Sequence, residues 1–139
     1  MVDTSIIIGY LRYGRYRDFL HKLLRDGRLL LPGPVLGELY AGASTHEDLR
    51  DIETIRRSLG VGIVGTDQEQ WVLAGRCLAG YAKRFGGIRP RDHLVDAVVA
   101  AAAVFFRAVL VTENLTDMAR WRDELGRLKR RLVLQGSPE

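Results

Sequence analysis

The sequence predicts an α/β fold in which helices cover both faces of a mainly parallel sheet. Two observations carry this. Short apolar runs rich in β-branched residues alternate with longer stretches whose apolar residues recur every three or four positions. No linker, repeat or low-complexity tract interrupts the alternation, so one domain over residues 1–139 is expected, long enough for a single core.

The first strand is the segment entering Asp3, and the helix after it carries Ile7, Ile8 and Leu11 along one side. A second helix covers Tyr16 to Arg25, where Phe19, Leu20, Leu23 and Leu24 repeat at helical spacing. The second strand lies in RLLLPG (28–33). A third helical region extends from about Pro34 through Leu59, with room for a break near Ala43 to Thr45, where Ser44 or Thr45 can cap a new start. The third strand falls in VGIVGT (61–66), and a fourth helix spans Asp67 to Phe85 with Asp67 as its cap. The fifth helix is DHLVDAVVAAAAVFF (92–106), and AVLVT (108–112) is the fourth strand. Met118, Trp121, Leu125 and Leu128 mark the sixth helix, and RLVLQ (131–135) is the last strand. In sheets of this kind ligands bind outside the carboxyl ends of the strands, so acids far apart in sequence can face one crevice.

Composition sets the broad class. Hydrophobic content of 47% and charged content of 27% are ordinary for a soluble globular protein. No apolar run approaches the roughly 20 residues that span a bilayer, and MVDTSIIIGYLRYGRYRD lacks the features of a signal peptide. Cys77 is the only cysteine, which excludes an intrachain disulfide and favours a reducing, cytoplasmic location. Its place on an apolar helix face makes it a small hydrophobe rather than a nucleophile. The net charge of +4 is carried almost wholly by arginine and is compatible with a polyanionic partner without establishing one.

Four acids stand where chemistry is expected. Asp3 follows the first strand, and Glu38 lies about one turn into the helix after the second. Asp96 sits near the start of a helix that otherwise reads as buried, and Asp117 follows the strand ending at Thr112. Asp3 and Asp117 are also natural helix caps, a role worth roughly 1 kcal/mol. Glu38 has a plain reading as a solvated helix residue. Asp96 is harder to dismiss, because nearly every residue from Leu94 to Phe106 is apolar or alanine. A lone carboxylate there is costly unless paired, hydrogen-bonded or beside a cation. Asp92, one turn earlier, is a second ligand, a surface acid or, as the pattern favours, a cap. His93 reads as a surface residue.

Together the four favour a metal site. Two carboxylates about 4 Å apart repel by roughly 4 kcal/mol at an effective dielectric of 20. A hard divalent cation relieves that repulsion, and all-oxygen ligation suits Mg²⁺ or Mn²⁺. His21, His46 and His93 are scattered and cysteine is single, which disfavours zinc. Such an ion is a recurrent device for phosphodiester cleavage. Thr112 and Asn114 then read as supports that orient carboxylates or bind phosphate oxygens, although both are common at strand exits.

The ordered set DTS (3–5), GELYAGA (37–43), DAVVAAAA (96–103) and VTEN followed by TD (111–117) resembles the PIN-domain family, particularly its VapC-like toxin branch. The resemblance covers essentially the whole chain. It implies a compact three-layer α/β/α sandwich and a Mg²⁺- or Mn²⁺-dependent endoribonuclease. It assigns Asp3 and Asp96 as metal ligands, Glu38 to complete the ligand sphere or help activate water, and Asp117 as a fourth, more variable member. It also implies an RNA substrate, a small VapB-like antitoxin lying across the active-site groove, and a homodimer. Two features depart from the family pattern. Only Met1 and Val2 precede Asp3, so the first strand is unusually short or the natural start lies upstream. Met118 stands where an aromatic residue often follows the fourth acid, a change of packing more than of chemistry.

Rival readings are an RNA-processing nuclease without a toxin role and a non-catalytic RNA- or protein-binding domain. Retention of all four acids argues against the second, since losing carboxylates would relieve their repulsion. A DNA-binding helix-turn-helix is disfavoured by the strand-rich alternation. Arg12, Arg15, Arg89 and Arg91 flank the expected crevice and are phosphate contacts or plain surface charge.

Overall fold

A computed structural model describes residues 1–138. Strand β1 (Leu31–Pro32) pairs in parallel with β2 (Ile63–Val64), Leu31 opposite Ile63. Strand β3 (Val109–Val111) pairs in parallel with β4 (Val133–Gln135), Val109 opposite Val133. Residues 1–3 join the two pairs. Val2 bridges Val111 in parallel, its amide donates to the Leu30 carbonyl at 3.1 Å, and the Asp3 amide donates to Val111 at 3.2 Å. The resulting order is β2, β1, residues 1–3, β3, β4. Four of the five expected strand positions form strands of two or three residues, below the usual five to six, the first position is a single-residue bridge at Val2, and the pairings are parallel. The chain is therefore mostly helical around a short sheet.

Helix α1 (Thr4–Tyr13) starts at Asp3, whose side chain accepts from the Ser5 and Ile6 amides. It ends at Gly14, which takes the left-handed φ of +64° that glycine adopts without steric cost. Helix α2 (Arg17–Arg25) follows. The long third helical region divides into α3 (Gly33–Ala41) and α4 (His46–Leu59), with Thr45 and Asp48 forming a reciprocal capping box at the new start. Asp67 caps α5 (Gln68–Phe85) as expected. Helix α6 (Pro90–Phe105) begins earlier than expected, because Pro90 suits the first helical position. Asp92 consequently lies inside the first turn as an exposed acid 3.8 Å from Arg91, and the cap reading fails. Helix α7 (Leu115–Arg127) is capped by Asn114, so Asp117 is not the cap.

The core forms around α6. From Ala97 to Ala103 every residue is buried, and the small side chains let α5, α7 and α3 approach closely. Trp121, Leu125, Ile6, Leu31 and Leu110 pack into the same core. Cys77 is buried and desolvation pushes its thiol up to about 11, which keeps it protonated and inert. His93 departs from the surface reading: it is half-buried, its ring 5.9 Å from that of Trp121. No helix among the described residues is long and apolar enough to cross a membrane.

Candidate active site

Each acid owes its place to the element that carries it. Asp3 leaves the central strand position directly into α1, and it is only 6% exposed. Its Oδ1 accepts from the Ser5 amide (3.1 Å), the Ser5 hydroxyl (2.5 Å) and the Ile6 amide (3.4 Å). All of these bonds fall on one oxygen. Capping and site readings are thus compatible, since Oδ2 has no protein donor among the described residues. Ser5 also accepts from the Glu113 amide at 3.0 Å, tying the exit of β3 to the start of α1. Glu38 is exposed on α3 and accepts from the Thr4 hydroxyl.

Asp96 is half-buried on α6 and its carboxyl is pushed up to about 6. Burial is the largest cause, followed by the negative charges of Glu38 and Asp3. His93 partly opposes the shift, and Asp117 adds to it. All three acids that disfavour ionised Asp96 are the other members of the expected set. Residues from four separate segments share one electrostatic neighbourhood.

Asp117 lies in the first turn of α7, where it accepts from Arg120 at 2.7 Å and from the Asn114 side-chain amide. Its charge is already partly neutralised. Asn114 therefore supports an acid directly, whereas Thr112 acts one step away. The Thr112 hydroxyl accepts from the Asn114 amide at 2.9 Å and, among the described residues, makes no hydrogen bond to a carboxylate. Among the described residues no three acids, histidines or cysteines stand close enough to hold one ion together. The expectation of tight convergence is corrected on this point: the acids are neighbours, with Glu38 turned to Thr4 and Asp117 to Arg120. The donor chemistry still fits a hard cation. It is all carboxylate, and among the described residues Asp3 keeps an unengaged oxygen and Asp96 forms no salt bridge.

The arginines divide. Arg12 lines a narrow cleft of about 80 Å³ together with Glu38 and Gly42. Arg15 is engaged by Glu113 at 3.5 Å and lies over the Tyr13 ring. Arg89 is exposed just before α6, and Arg91 is exposed in its first turn. Thr4, Ser5, Arg120 and Tyr16 were not singled out from sequence. Tyr16 donates to Glu113 at 2.6 Å, and Gly9 makes room, since a Cβ there would sit 2.9 Å from both. Only Arg120 left a readable signal, three residues after Asp117 on one helix.

A short parallel sheet wrapped by helices, with acids from separate segments gathered at one end, defines an α/β domain of the acidic-site kind. The family model for the PIN domain matches residues 1–122, and the chain belongs to that family. Its fold resembles VapC of toxin–antitoxin complexes. The structure of VapBC2 from Rickettsia felis bound to a promoter DNA fragment matches with a TM-score of 0.76 and 19% identity, over 99% of this chain and 98% of that one. DNA-bound VapBC from Salmonella typhimurium matches at 0.75 and 19%, over 98% and 96%. VapBC-1 from nontypeable Haemophilus influenzae matches at 0.67 and 20%, over 98% and 96%. No curated protein matches the sequence.

Proposed function

We propose that this PIN domain is a metal-dependent endoribonuclease acting in the cytoplasm as the toxin of a toxin–antitoxin pair. The observation that carries the reading is Asp96, whose ionised form is opposed by burial and by Glu38, Asp3 and Asp117. Nuclease activity is general in the family, and the similar structures are toxin–antitoxin complexes. In this reading Asp3 and Asp96 hold Mg²⁺ or Mn²⁺. Bound there, the ion supplies polarisation of the phosphate and acidification of an attacking water. Glu38, steadied by Thr4, would complete the ligand sphere or help to activate the water. Asp117 and Asn114 act as a positioning pair, with Arg120 limiting the negative charge.

RNA cleavage mapping on total cellular RNA tests the proposal. Cuts that require added Mg²⁺ or Mn²⁺ and vanish with chelator are expected; intact RNA under both conditions would reject the enzyme and favour a binding domain. Growth arrest relieved by a small co-transcribed partner separates a toxin from an RNA-processing nuclease. An apolar groove of about 200 Å³ lined by Ile7, Tyr10, Leu24 and Ile55 offers a VapB-like partner a docking place. A homodimer is part of the same proposal. Neutralising Arg89 and Arg91 is expected to weaken RNA binding and to flatten its salt dependence by about 0.7 in log–log slope for each phosphate no longer neutralised. An unchanged slope would assign both arginines to plain surface charge.

A further inference from the structure

The end of the fold remote from the acids holds a second cavity, of about 520 Å³. It lies where the opening turn of α5 meets the end of α6 and the segment after α7, and Gln70, Arg76, Phe105, Arg107 and Arg130 help to line it. Asp96 and Asp117 belong to the amino-terminal halves of the same α6 and α7, so the two sites sit at opposite ends of shared helices.

Gln70 is the feature that asks for a ligand. It is only 2% exposed, yet its side-chain oxygen is buried without a hydrogen-bond partner among the described residues. An unpaired buried acceptor is unfavourable, and a small turn of the Gln70 side chain toward the cavity it lines would let a donor bound there pair with it. Charge gives an independent sign. Arg76, Arg107 and Arg130 are exposed on the cavity wall and form no ion pair among the described residues, against one lining carboxylate, Glu69. Between these polar groups lie Leu73, Val104, Leu128 and the half-exposed ring of Phe105, a surface suited to a flat heterocycle.

We propose that this cavity binds a nucleoside monophosphate group, with the phosphate on the arginines, the base against Phe105 and a base N–H donating to Gln70. The volume is within the roughly 300–1,000 Å³ of small-molecule sites. The group belongs to a free nucleotide or to the phosphorylated end of an RNA chain. Binding requires none of the four acids and does not depend on the nuclease reading.

Calorimetric titration of the full chain in chelator, using the four ribonucleoside monophosphates, adenosine, inorganic phosphate and a 5′-phosphorylated trinucleotide, tests this. At least one monophosphate is expected to saturate at one equivalent, with adenosine and phosphate each weaker by about tenfold or more. The exposed pair R107Q/R130Q should weaken that monophosphate by about tenfold or more. Gln70→Leu should weaken the nucleotide but leave phosphate binding unchanged. Competition by the trinucleotide identifies an RNA end as the occupant, and its failure to compete identifies a free nucleotide. Absence of saturable binding, phosphate binding as tight as nucleotide, or full affinity retained in R107Q/R130Q would each overturn the proposal.

Discussion

Replacing Asp96 with asparagine is expected to abolish RNA cleavage while making the metal-free protein more stable. The two effects have one origin. Burial and three neighbouring carboxylates raise the Asp96 carboxyl from 3.8 to about 6, so the folded state holds the proton more tightly than the unfolded chain. Below the unfolded value the group is neutral in both states and costs nothing. The penalty grows as pH rises through the window from 3.8 to about 6 and is complete above it. Asparagine keeps the shape and removes the charge. A shift of this size corresponds to at most about 3 kcal/mol, and partial exposure reduces it to ~1–2 kcal/mol, or a few degrees in Tm. Cleavage should fall by ~10²–10³-fold or more, the scale seen when one preorganised polar group is removed from a reaction centre. Melting curves at pH 4.5 and 7.5 with and without Mn²⁺ provide the check. The wild type should melt lower at the higher pH and gain stability from the cation; the variant should do neither. A variant that melts like the wild type at pH 7.5 would remove the electrostatic basis of the site.

Asp96 was legible in the sequence because a carboxylate amid valines and alanines has few reasons to be there. The alternation of elements likewise indicated the strand positions and the parallel sheet, and Thr45 marked the break between α3 and α4. What failed was local competition between similar residues. Asn114 and Asp117 are both good caps, and only the backbone path out of β3 decides for Asn114. Asp92 lost the cap position because Pro90 starts α6 a fraction of a turn earlier. The contact of His93 with Trp121 depends on how α6 crosses α7, which no local spacing encodes. The partners of the carboxylates were also out of reach, since Thr4 engages Glu38 and Arg120 engages Asp117 only in the folded chain. Charge patterning can announce that acids share a neighbourhood; it does not report which hydrogen bonds engage each of them.

Arg84→Ala is expected to produce a large loss of stability, although it lies outside the acid site. Glu124 is only 3% exposed on α7, and Arg84 of α5 reaches it through two nitrogens, with the Nε bond at 3.1 Å. Gly80 makes the pairing possible: a Cβ there would lie 2.8 Å from the Glu124 oxygen and 2.9 Å from the Arg84 guanidinium. Truncating Arg84 leaves Glu124, among the described residues, with the exposed Arg127, 3.9 Å away, as its remaining cation. Stranding a buried charge costs about 3–5 kcal/mol when isolation is complete. With Arg127 still near and Arg84 itself 34% exposed, about 2–4 kcal/mol is expected, lowering Tm by roughly 10 °C. The decisive comparison is the double variant Arg84→Met, Glu124→Leu. It removes both charges and fills the space with apolar atoms, so it should recover most of the loss. Urea unfolding measures this as a shift of the midpoint at constant slope. A single variant within about 0.5 kcal/mol of wild type would show that water already solvates Glu124, and a double variant no better than the single would show that packing, rather than a stranded charge, sets the cost.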